Sequence, residues 1–124
     1  MSIDRLSPLF LFFNMKENFS IDTGEFADSP LYAKQREERG WDDTELWNLY
    51  CTIARFVYPR LKRFIELEPK SYPTDFTYEE WIETLKKMLY SFECIVNDSI
   101  NREEYNKVQE GLELFGKYFQ TIWD

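Results

Sequence analysis

REEYNKVQEGLELFGKYFQTIW, residues 102–123, decides the fold class. Its apolar residues Tyr105, Val108, Leu112, Phe115, Phe119 and Ile122 recur at spacings of 3, 4, 3, 4 and 3. That period places them along one stripe of an α-helix, the seam of a bundle. Gly111 and Gly116 interrupt it, and each weakens a helix by about 1 kcal/mol relative to Ala. A close approach by a neighbouring helix would give them a purpose.

Working outward, the same grammar appears twice more. An N-cap residue followed three positions later by Glu, with apolar residues on either side, marks a helix start. Asn101 and Glu104 sit between Ile100 and Tyr105, Thr77 and Glu80 between Phe76 and Trp81, and Asp42 and Glu45 between Trp41 and Leu46. A helix is expected over about Tyr78–Val96, with Trp81, Leu85, Met88, Phe92 and Ile95 on its inner stripe. Another is expected over about Asp43–Glu66, its stripe running Leu46, Leu49, Ile53, Phe56 and Val57, then Leu61 and Phe64. Pro59 lies inside it; an interior proline removes a backbone hydrogen bond, so a kink near Arg55–Pro59 or two shorter helices meeting there is expected.

The expected architecture is therefore mainly α: a three-helix antiparallel bundle over residues 41–124, with residues 1–40 forming an irregular N-terminal arm packed on it as part of one domain. Short connections at Glu68–Asp75 and Asn97–Ile100 favour antiparallel neighbours. Within the arm, Ser29-Pro30 opens a short fourth helix that Gly40 closes after Arg39. Pro8–Met15 reads as a short strand or an extended cover.

Of the 124 residues, 44% are hydrophobic, and 11 Phe, 8 Tyr and 4 Trp supply enough bulk to fill a core without metal or disulfide. Cys51 and Cys94 read as reduced core thiols, which fits a cytoplasmic protein. No apolar run reaches the roughly 18 residues of a membrane span. Leu9–Phe13 is too short for a signal-peptide core, and Asp4 precedes it where a basic residue belongs.

The net charge of −8 disfavours general nucleic-acid binding and anionic membranes. Residues 69–124 are the most acidic part, with eleven acids against six bases. Mimicry of DNA by that acid is weakened by Lys at i+4 in Glu83–Lys87, Glu103–Lys107 and Glu113–Lys117, pairs that balance a solvated face. The absence of histidine removes Ser-His-Asp and Cys-His catalysis and the Glu-x-x-His ligand pairs of di-iron bundles. Gly24, Gly40, Gly111 and Gly116 are too scattered for a phosphate loop. One turn apart, Glu79 and Glu83 are the remaining route to a hard cation. No catalytic residue, metal site or cofactor is expected.

Against this acid, the cluster Arg55, Arg60, Lys62 and Arg63 stands out. Near a helix C-terminus cations are also favoured by the macrodipole. The functional reading is a contact for an acidic protein partner. Glu93 lies beside the inner stripe of its helix and is the fifth candidate, a partly buried carboxylate for Arg60 or Arg63 to satisfy.

From Trp41 to Glu93 the chain resembles a group of small acidic helical proteins, themselves uncharacterised, encoded by bacteriophages and prophages. The likeness rests on Leu46-Trp47, Thr52-Ile53-Ala54, the block Pro59-Arg60-Leu61-Lys62-Arg63-Phe64, then Glu80-Trp81, Leu85 and Lys87-Met88-Leu89-Tyr90-Ser91-Phe92-Glu93. The group carries aliphatics before the Pro-Arg-Leu block, where this chain has Val57-Tyr58. The resemblance brings no activity and no binding residue with it. It implies a setting, the bacterial host cytoplasm, and a non-enzymatic protein that binds a host or defence-system protein, as an inhibitor. A phage structural or assembly protein forming homo-oligomers is the alternative, and a carboxylate-metal enzyme the third.

Overall fold

The computed structural model describes residues 29–124. The chain divides into two compact units, Met1–Thr52 and Ile53–Asp124. Expectations for Pro8–Met15, and for the packing of residues 1–28, fall outside the described residues. Among those described there are four α-helices and no strand: α1 Pro30–Arg39, α2 Leu49–Glu66, α3 Tyr78–Val96 and α4 Arg102–Lys117.

In the first unit, α1 begins with Pro30 in its first turn and ends at Gly40, whose φ of 89° is the left-handed conformation glycine tolerates best. A 3₁₀ turn, Asp43–Leu46, follows. Its cap is the expected box: Asp42 accepts from the Thr44 N–H at 2.9 Å, and Glu45 accepts from the Asp42 N–H at 2.9 Å. Side chains from α1 clasp this turn. Arg36 pairs with the buried Asp42, and Arg39 pairs with Asp43. The Gln35 amide both accepts from the Asp43 N–H (2.8 Å) and donates to its carboxylate (3.0 Å). Burial pushes the Asp42 carboxyl upward, but hydrogen bonds from Thr44 and Arg36 together outweigh it and hold the group below its ordinary value.

Two expectations for the second helical segment need correction. It does not run from Asp43; the 3₁₀ turn ends at Leu46 and α2 starts at Leu49, so the break falls before the helix rather than at Pro59. Helix α2 continues through Pro59. The second correction concerns its faces. Leu46, Leu49, Ile53 and Phe56, expected inside, are exposed, Ile53 at 48% and Phe56 at 43%. The face that enters the core carries Ala54, Val57, Tyr58, Leu61, Phe64 and Ile65.

In the second unit α2, α3 and α4 share one core. Trp81, Leu85, Met88 and Phe92 of α3 are buried in it with Ala54 and Leu61, and Ile95 is packed against it. The expected α3 stripe is therefore the observed one. Leu112, Leu114 and Phe115 of α4, with Tyr118 just past its end, close the third side. The staple Phe76–Trp81 forms at 5.7 Å between ring centroids, and Tyr118 packs edge-on against both rings. The Trp81 indole N–H enclosed there has no hydrogen-bond partner.

Contacts between α3 and α4 run antiparallel. Trp81 meets Tyr118, Lys87 meets Glu110, and Ser91 meets Val108, so one index rises as the other falls. The two backbones approach closely where Gly111 faces Ser91. A Cβ at 111 would lie 1.9 Å from Ser91 Oγ and 2.3 Å from the Lys87 carbonyl oxygen. The Ser91 hydroxyl donates to the Val108 carbonyl at 2.7 Å across the same contact. Gly116 has open space around it and no such role. Helix α4 also ends earlier than its pattern, at Lys117, with a 3₁₀ turn Phe119–Thr121 beyond. Phe119 and Tyr105, expected on the seam, are exposed.

Candidate functional site

The outer face of α2 collects the basic cluster. With Ala54, Leu61 and their neighbours turned inward, the helical period turns residues 53, 55, 56, 59, 60, 62, 63, 66 and 67 outward, and all of them are exposed. Arg55, Arg60, Lys62 and Arg63 therefore share one solvent-facing half of the helix with Ile53, Phe56 and Leu67. The Arg60 guanidinium lies 3.9 Å from the centroid of the Phe56 ring and donates to the Phe56 carbonyl at 2.9 Å. That stacking holds a planar cation flat on an exposed aromatic ring. Arg63 reaches Glu66 at 3.7 Å, an exposed i,i+3 pair. It also sits in the last turn, where the macrodipole favours a cation.

Within this face, Ile53, Phe56, Arg60, Arg63 and Leu67 follow one another at 3, 4, 3 and 4. The periodic row thus starts apolar, becomes cationic and ends on an exposed leucine. Periodicity alone places its first half in the core. The available signal was its continuation, because extending the row beyond Phe56 lands on Arg60 and Arg63. The row through Ala54, Leu61 and Ile65 meets no charge.

Glu93 does not join the cluster. It is exposed on α3 rather than partly buried. Arg60 and Arg63 both engage groups on their own helix. Its position follows from its neighbours: Ser91, Phe92 and Cys94 take the inward places.

Elsewhere the surface offers shallow hollows. One of about 320 Å³ lies between α3 and α4, lined by Glu83, Lys86, Lys87, Tyr90, Lys107 and Glu110. Four of its charges are paired, Lys86 with Glu83 at 3.6 Å and Lys87 with Glu110 at 3.7 Å. Lys87 thus reaches across to α4 rather than along its own helix to Glu83. The hydrogen bond with Cys94, then desolvation, pushes the Tyr90 phenol up to about 12, so it remains protonated and cannot serve as a base near neutral pH. Glu79 and Glu83 border a second hollow, with Glu66 and Glu68. Among the described residues no group of three His, Cys, Asp or Glu side chains is placed to hold a metal ion. Cys51 and Cys94 are free thiols, Cys94 buried and Cys51 half-buried. No helix among the described residues is long and apolar enough to cross a membrane.

No protein-family model, curated protein or solved structure matches the chain. The functional reading therefore rests on the chemistry of the α2 face.

Proposed function

We propose that the chain is a non-enzymatic binding protein whose outer α2 face docks an acidic surface of a protein partner. The observation that carries this reading is Arg60 stacked on Phe56 with Arg63 one turn on, and Lys62 further round the same exposed half-helix, in a chain with net charge −8. Long-range attraction of an acidic partner to the whole molecule is weak or repulsive, so recognition falls to this local patch. Arginine stacked on an aromatic ring supplies planar hydrogen-bond donors to carboxylates together with apolar area, the composition enriched where proteins bind.

The resemblance to phage and prophage proteins extends the proposal to the partner: a host or defence-system protein in the bacterial cytoplasm, inhibited because the bound chain occludes its working surface. The test is affinity capture from bacterial lysate with the wild-type chain and with an Arg60→Glu/Arg63→Glu variant. One stoichiometric host protein, captured by the wild type, lost in the variant and inhibited by the purified chain, is the expected result. Equal capture by both proteins would move the site elsewhere. Recovery of the chain alone, as a discrete oligomer, would favour the assembly reading.

A further inference from the structure

From the geometry of the same face we infer that the partner presents an amphipathic acidic α-helix, laid along the row Ile53, Phe56, Arg60, Arg63 and Leu67. This rests on the docking reading above and narrows its occupant. The row keeps helical 3-4 spacing on the outside of a bundle whose own core is already complete on the opposite side of α2. A second helix packs against such a row by placing its i, i+3, i+4 and i+7 residues between the exposed side chains. From residue 53 to residue 67 the row is about 21 Å long, four turns of a partner helix. The Leu67 N–H still bonds the Arg63 carbonyl, at 3.0 Å, so the helical line extends to its last member.

Other peptide modes fit less well. Strand addition needs an open sheet edge, and the described residues include no strand. A polyproline segment needs a groove lined by several aromatics, and Phe56 is the single aromatic of the row. Charge selects among helices. Arg60 and Arg63 lie in the row, so carboxylates on the partner would be matched and lysines opposed. Charge likewise disfavours a second copy meeting this face with its own, since both rows are cationic. Glu66 is the one acid on the face, and Arg63 already engages it.

The experiment uses the full chain and three synthetic peptides, with calorimetry for affinity and NMR for location. The first carries Leu at i, i+3, i+4 and i+7 with flanking Glu. The second has the same composition reordered to alternate. The third replaces every Glu by Lys. The first peptide should bind about tenfold more tightly than either other, shifting resonances of Ile53, Phe56 and Leu67. Phe56→Asp should weaken it by about tenfold or more, the effect of removing a central anchor. Arg60→Glu, an exposed change that leaves the core untouched, should do the same. Equal binding of the reordered peptide would overturn the helical inference and leave acidic docking standing. Equal binding of the lysine peptide would overturn both. A stable dimer of the free chain dispersed by Phe56→Asp would assign the row to a second copy. Displacement of the first peptide by one of residues 1–28 would assign it to that segment. Either overturns the inference.

Discussion

Helices α2 and α3 follow the same spacing rule, yet one shows its inner face in the sequence and the other conceals it. In α3 the stripe Trp81, Leu85, Met88, Phe92 and Ile95 is flanked on one side by Ile82, Leu89 and Val96, which also pack against the core, so periodicity has one solution, and it is the one that packs. In α2 two rows satisfy the period. The first, Leu46, Leu49, Ile53 and Phe56, is richer in large apolar residues at its start; the second contains Ala54 and Tyr58 and looks weaker. The weaker-looking row is buried because it continues without charge to Ile65, where the first row meets two arginines. A small residue such as Ala54 also lets a neighbouring helix come close, which apolar bulk alone does not reveal. The lesson is that a helix's inner face is the row that stays uncharged over its whole length.

The largest effects should separate the two rows. Leu85→Ala and Leu61→Ala each remove packed atoms from the core and should cost about 2–5 kcal/mol in denaturant unfolding. Ile53→Ala on the exposed row should cost less than about 0.5 kcal/mol. Comparable losses would break the assignment of faces.

The next contrast lies within α4. Gly111→Ala drives a methyl group into Ser91 and the Lys87 carbonyl and should destabilise by about 1–3 kcal/mol. Gly116→Ala meets nothing and should stabilise by up to about 1 kcal/mol. Thermal melts of both variants check the sign difference, which helix propensity alone would not produce.

Acid distinguishes the first unit. The folded-state pKa of Asp42 is depressed, so its contribution is present above the unfolded value of 3.8 and is lost as pH falls from there through the folded value. The clasp of α1 on its 3₁₀ turn should hold from pH 8 to pH 5, since the chain has no histidine, and loosen below about pH 4. Hydrogen exchange at Thr44 and Glu45 against pH reports it. Asp42→Ala should cost this local structure about 2 kcal/mol near neutral pH and flatten the acid dependence.

The smallest expected effect is a gain. Glu68 closes α2 with φ of 53°, and Asp98 closes α3 with φ of 50°. Left-handed backbone is unfavourable for residues with a Cβ, so Glu68→Gly should raise stability by about 0.5–1 kcal/mol in chemical denaturation.

Much of the fold was legible in the sequence. Thr77 and Asp42 form full capping boxes, Asn101 accepts from the Glu104 N–H, and Ser29-Pro30 to Gly40 bounds α1 as its residues indicate. These signals are local, needing only a few neighbouring residues. What the sequence concealed depends on another helix: the burial of Ala54, which of Gly111 and Gly116 meets a neighbour, and the direction of Lys87 toward Glu110. The site was half legible. Its cations are visible as a cluster, while the helical period places their apolar companions Ile53 and Phe56 in the core and gives Glu93 a burial it does not have.

The docking face exists only if the Phe56 side of α2 faces outward, and the thermal stability of Phe56→Asp measured beside that of Leu61→Asp tests this most directly. A Phe56→Asp protein that melts within a few degrees of the wild type, with Leu61→Asp unfolded, is the predicted result. Unfolding of Phe56→Asp with Leu61→Asp intact would place the exposed row in the core and remove the docking face.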